Sequence, residues 1–111
     1  MERREHTRYA VRALVDFEWM AEGVLRQGRG FTKDISSKGM FVYSDSEPPS
    51  IADLQVEVYF RSAAEGITTL QLRATALVIR VELATSPGAY HGFAILNKSY
   101  KLHVGLTVID D

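Results

Sequence analysis

Between Tyr9 and Trp19 the odd positions are Tyr9, Val11, Ala13, Val15, Phe17 and Trp19, while Arg12, Asp16 and Glu18 sit on even ones. A period of two over that length predicts a strand with one buried and one wetted face, with Tyr9, Phe17 and Trp19 packing the core. A second strand is predicted from Val24 to Lys33, interrupted by Gly28 and Gly30, where glycine marks a bulge or a close backbone approach. A third follows at Met40–Ser44, and the turn formers of Asp45-Ser46-Glu47-Pro48-Pro49-Ser50 make a loop. Leu54, Val56, Val58 and Phe60 then alternate with Gln55, Glu57 and Arg61, which gives a fourth strand.

The fifth strand changes phase. Leu70, Leu72, Ala74 and Ala76 share one face, but Leu77, Ile79 and Val81 fall on odd positions, and such a slip requires a bulge or sharp bend. After a turn at Ser86-Pro87-Gly88 a sixth strand runs over Ala89–Leu96. The remaining segment alternates at Leu102, Val104, Leu106 and Val108. With Gly105 among β-branched neighbours it reads as extended rather than helical. Strands at this spacing, with no helix-period stretch and no repeat, predict an all-β barrel or sandwich.

Size and composition narrow the class. The chain has 111 residues, enough for one compact domain and too few for two with stable cores. With 46% hydrophobic and 24% charged residues it is composed like a soluble globular protein. There is no cysteine, which excludes disulfides, a thiol nucleophile and thiolate metal sites, and fits the reducing cytoplasm. The opening Met1-Glu2-Arg3-Arg4-Glu5-His6 lacks the apolar stretch of a secretory signal, and no apolar run reaches membrane-spanning length. Membrane insertion is therefore not expected. Formal net charge is -1, but residues 1–39 hold 8 Lys/Arg against 6 Asp/Glu, so the positive charge gathers at the front.

Two short patterns carry candidate chemistry. Arg4 and Arg8 stand four residues apart with Arg3 beside them. Two guanidiniums at that spacing suit a bidentate clamp on a phosphodiester and can lie on a purine face; a solvated basic tail would show the same residues. In Asp34-Ile35-Ser36-Ser37-Lys38-Gly39, Asp34 can accept from the N–H groups of a guanine edge. Ser36 can donate to a phosphate or cap the turn, and Gly39 allows positive φ where strand three begins. A well-made hairpin connection uses the same residue types. His6, His91 and His103 have no metal-ligand spacing, and Ser36 and Ser37 lie outside any nucleophile elbow. Gly28-Arg29-Gly30 precedes no helix and so cradles no phosphate. No catalytic constellation is present, and an enzyme is not expected.

The two patterns in this order are more specific than either alone. Arg4-x-x-x-Arg8 followed by Asp34-x-Ser36-x-x-Gly39 resembles the signature of the PilZ domain family. The likeness extends through Arg8-Tyr9, Gly30-Phe31-Thr32-Lys33-Asp34-Ile35-Ser36, Ala74–Val81 and Gly92-Phe93-Ala94-Ile95-Leu96, or roughly residues 3–97. The resemblance implies a six-stranded antiparallel β-barrel of split-barrel type that binds the bacterial second messenger cyclic di-GMP and needs no other cofactor. Carried over, Arg4 and Arg8 would contact phosphate and guanine, Asp34 and Ser36 would complete those contacts, and Gly39 would hold the turn. Arg3 would influence how many ligand molecules bind. The segment after the barrel departs from the family, in which a helix often follows.

The organisation expected is thus a ligand-binding arm over 1–8, a barrel over 9–97 and an extended or short tail over 98–111. A domain of this size without an output module would act on an unidentified downstream protein or through a ligand-dependent homodimer. A PilZ-type adaptor that binds no nucleotide is the alternative, and intact arginines argue against it. An OB-like barrel for single-stranded nucleic acid would place exposed aromatics among basic residues on adjacent strands. The aromatic residues here fall mostly on apolar faces, so no nucleic acid polymer is expected.

Overall fold

The computed structural model describes residues 7–61, 67–86 and 88–107, with 61, 67–69 and 103–107 described by backbone alone. Six strands follow one another: β1 (Leu14–Ala21), β2 (Val24–Ile35), β3 (Gly39–Ser44), β4 (Asp53–Arg61), β5 (Ile67–Glu82) and β6 (His91–Thr107). They close into an antiparallel barrel in the order β1-β2-β3-β6-β5-β4, and the described residues contain no helix. The all-β barrel expected from the alternation and from the family likeness is the fold.

Alternation places the core. Ala13, Val15 and Phe17 point inward, as do Leu54, Val56 and Val58 of β4 and Leu72, Ala74, Ala76 and Val78 of β5. Met40, Val42, Phe93 and Ile95 complete it, and the rings of Phe17 and Phe93 meet edge to face at 5.0 Å. Trp19 packs on this core from its edge, stacked on Phe17. Outside the same strands the register sets Arg29 opposite Asp16, Asp16 opposite Glu57 and Glu57 opposite Arg73. The two opposite-charge neighbours form pairs, Arg29 to Asp16 at 2.7 Å and Arg73 to Glu57 at 3.3 Å, with the two carboxylates side by side between them.

The glycines of β2 are close approaches, as expected. A Cβ on Gly28 would enter the ring of Phe17, and one on Gly30 would lie 2.0 Å from the carbonyl oxygen of Tyr43. The turn before β6 is also present, closed by Ala89 N–H donating to Ser86 O at 3.2 Å, with Gly88 at φ 81°. A further turn escaped the sequence reading. Glu22 and Gly23 both take positive φ, which makes the two-residue connection whose twist suits a hairpin.

Several expectations require correction. Regular pairing of β1 begins at Leu14, not Tyr9, and Tyr9 is 62% exposed rather than in the core. The cause is Thr32. It is buried, and its hydroxyl donates to Val11 O and accepts from Ala13 N–H at 2.9 Å, so a side chain takes these backbone groups and only Thr32 N–H to Ala13 O, at 2.9 Å, is a backbone bond there. The slip in β5 falls later than the side-chain pattern implied. Val78 is still buried and the unpaired residue is Ile79, 55% exposed, because Val78 pairs with Ile95 and Arg80 with Ala94. A second irregularity on β6 leaves Lys98 out of register between Asn97 and Ser99. The sixth strand does not stop at Leu96 but stays paired with β5 to Thr107, so the segment read as extended is strand.

The aromatic residues are also distributed differently from the expectation. Phe31, Phe41 and Tyr43 stand on the outer face of β2 and β3, where Arg12 covers Phe31 at 4.3 Å and Lys33 covers Phe41 at 5.5 Å. Pleating decides this, since each is one residue out of phase with the inward Thr32 and Val42. Phe41 is only 6% exposed, so its faces are used by its neighbours, including Tyr43 at 5.3 Å.

Candidate functional site

The acidic motif begins at a β-bulge. Thr32 pairs with Val42 and Asp34 with Phe41, so Lys33 is extra on β2. An additional residue reverses the phase of the pleat. Before it even positions point inward, as buried Thr32 does; after it Ile35 packs on the core opposite Met40 and Asp34 turns outward. The bulge therefore keeps the carboxylate of Asp34 at the surface.

There Asp34 meets Arg8, with Nη1 donating to Oδ1 at 3.2 Å across 26 positions of chain. The backbone prepares this meeting. Tyr9 N–H donates to Ile35 O at 2.8 Å and Ile35 N–H returns to Tyr9 O at 2.9 Å, which fixes the entering chain beside the end of β2. The Arg8 side chain is 49% exposed, so the pair is solvated and contributes at most about 1 kcal/mol.

Ser36 caps the following turn. Its N–H donates to Gly39 O at 2.8 Å, and its hydroxyl oxygen accepts from the N–H groups of Lys38 and Gly39 at 3.3 Å each. Gly39 does not use the positive φ expected of it; among the described glycines only Gly23 and Gly88 do. What Gly39 supplies is the absence of a Cβ, which would stand 1.9 Å from the carbonyl oxygen of Ile95 on β6. The structure thus gathers Arg8, Asp34, Ser36 and Gly39 at one end of the β2–β3 hairpin. Arg3 and Arg4 lie outside the described residues.

Two features near this end were not found from the sequence. Arg12 lies over Phe31, three residues before Asp34, a contact between segments distant in sequence. Asn97 is the next inward position of β6 after Phe93 and Ile95, and lines a groove of about 270 Å³ with Tyr9, Ser36, Leu72 and Tyr100. Its polarity in that phase was a legible signal. Among the described residues no three His, Asp or Glu side chains are grouped to hold a metal ion.

A larger cavity of about 780 Å³ is lined by none of the motif residues. It follows the charge ladder, and its arginines, Arg29 and Arg73, are already paired with Asp16 and Glu57. A partner carboxylate also shapes the neighbouring Tyr59. Its hydroxyl donates to Glu57 Oε2 at 2.5 Å, and that hydrogen bond, with burial and the negative charge adding to it, pushes the phenol up to about 12. A folded-state value above the ordinary 10 favours the protonated phenol in the folded protein, so the stabilisation is complete below pH 10 and lost as the pH rises towards 12. Melting temperatures of the wild type should accordingly fall more steeply over that interval than those of Tyr59→Phe. Parallel curves would show that the bond adds nothing to stability.

Comparison with protein families gives a match to the PilZ domain over residues 2–102. Comparison with curated proteins and with solved structures returned no match.

Proposed function

Because the chain belongs to the PilZ domain family, generally receptors for cyclic di-GMP, we propose that it is a cytoplasmic receptor for that nucleotide. The observation that carries this reading is the Arg8–Asp34 contact, which unites the arginine and Asp-x-Ser patterns on one outer face beside the Ser36 turn. A guanidinium for phosphate and a carboxylate for the N–H groups of guanine then stand within one ligand's reach. Their mutual ion pair is solvated and weak, so the nucleotide can replace it at small cost. Arg3 and Arg4 would join from the arm, with Gly39 holding the turn. Arg3 would bring in a second nucleotide.

The relay follows from the same arrangement. Ahead of Arg8, which Asp34 already contacts, residues 1–7 hold almost nothing apolar to bury, so the proposed relay is that the ligand fixes this arm. Fixing about six residues costs on the order of 6–12 kcal/mol, which several charge-assisted contacts and base stacking offset. The ordered arm would then alter the surface seen by a downstream protein or a second copy of the chain. No step makes or breaks a covalent bond.

Titration calorimetry tests the proposal. Cyclic di-GMP should bind at submicromolar to low micromolar concentration and linear GMP far more weakly. Arg8→Ala should lose roughly ten- to a hundredfold in affinity, about 1.5–3 kcal/mol, with the melting temperature nearly unchanged. Lysine should restore only part, since a point charge cannot grip two oxygens in one plane. Equal binding of GMP, or no binding of either nucleotide, would leave the domain an adaptor in which Arg8 and Asp34 merely fasten the entering chain.

A further inference from the structure

Where β6 leaves β3, its last contact across is Asn97 N–H donating to Lys38 O at 2.6 Å, and Lys98 then bulges out of the β5 register. Asn97 pairs with the fully buried Ala76 and so points into the barrel mouth, following Phe93 and Ile95. Its Oδ1 is sealed from solvent, and no donor among the described residues reaches it. A buried acceptor without a donor is costly and uncommon. Around it the groove is mostly apolar, walled by Ile35, Phe60, Leu70 and Leu72 with the rings of Tyr9 and Tyr100 at its sides and Ser36 and Ser37 also in its lining. It adjoins Ser36, so it is continuous with the motif surface.

From this we infer that the groove takes one guanine base of the bound nucleotide and that Asn97 reads its edge. The inference rests on the receptor reading given above. At about 270 Å³ the space is below what a whole drug-sized ligand needs and suits one flat ring system. Apolar walls and two phenol rings match a base's faces, while the Asn97 amide supplies a hydrogen-bonding group among them. Guanine presents a ring N–H and an amino group as donors beside its carbonyl. A turn of the Asn97 amide about its broad terminal torsion brings Oδ1 to those donors and Nδ2 towards the carbonyl. Adenine can meet the same amide once it turns over, with Oδ1 accepting from the amino group and Nδ2 donating to the ring nitrogen, so Asn97 binds the edge of a base without itself selecting guanine. Asn97 is thereby a base-contact residue, distinct in role from the charged groups that hold phosphate.

Calorimetry of the full chain with cyclic di-GMP and cyclic di-AMP separates the outcomes. In Asn97→Leu, cyclic di-GMP should weaken about tenfold and any binding of cyclic di-AMP by a similar factor, because the amide serves the edge of either base. The ligand-free melting temperature should hold or rise, because the change removes an orphaned acceptor. Tyr100→Leu should weaken both nucleotides alike and leave selectivity as it was. If Asn97→Leu binds both nucleotides as the wild type does, Asn97 reads no base, and the receptor reading stands without it. If the wild type binds neither, the receptor reading fails and this inference with it.

Discussion

Phe93→Ala should destabilise the domain by about 3–5 kcal/mol, roughly a fifth or more of the stability a domain of this size commonly has. Phe93 is the largest side chain in the barrel with essentially no exposure, at 1%. It pairs with Val42 on one side and Val81 on the other, and its ring meets Phe17 from across the interior. Every strand of a closed barrel is held by its neighbours on both sides, so the wall around the vacated space cannot collapse inward freely. Lost transfer free energy and an unfilled cavity therefore add. Chemical denaturation followed by tryptophan fluorescence reads the effect directly, because Trp19 stacks on Phe17, the ring that Phe93 touches. A loss below about 1 kcal/mol would mean that the interior is far more deformable than its packing indicates.

Gly39→Val should cost about 3 kcal/mol or more, and Gly39→Ala only somewhat less. Both place a Cβ 1.9 Å from the carbonyl oxygen of Ile95 and 3.3 Å from Cα of Leu96. These are backbone atoms of the paired strand and cannot rotate away, so β3 and β6 must separate at the point where the barrel closes. The denaturation midpoint should drop sharply. Nucleotide affinity at a temperature where the variant is still folded should fall as well, because Ser36 is bonded to both the N–H and the carbonyl of Gly39. Wild-type stability in Gly39→Ala would show that the strands part readily and that the glycine serves the ligand rather than the fold.

The motif glycine shows how sequence and structure divide the explanation. A glycine at the end of Asp-x-Ser-x-x-Gly is legible as a demand on the backbone, and a turn with positive φ is the local way to explain it. The actual demand comes from Ile95, 56 positions away, and no local pattern carries it. Asp34 is similar. Its identity marks it as an acceptor, but its direction depends on Lys33 being surplus in the β2–β3 pairing, a property of two strands together.

The sequence by itself determined the class of fold, four of the six strands nearly to their ends, and most of the core, because burial of one face per strand writes a period of two into the chain. It also determined the family, because the two motifs are patterns of residue identity at fixed spacing. Tertiary structure alone decided which alternating stretch was ladder and which was lead-in. Tyr9 continues the alternation yet lies outside the core, since Thr32 takes the backbone contacts of Val11 and Ala13. It decided too that Phe31 and Phe41 face outward beneath Arg12 and Lys33, and that Arg8 reaches Asp34. Each of these depends on register between strands, and register is fixed by the pairing of distant segments, to which periodicity within one segment is blind.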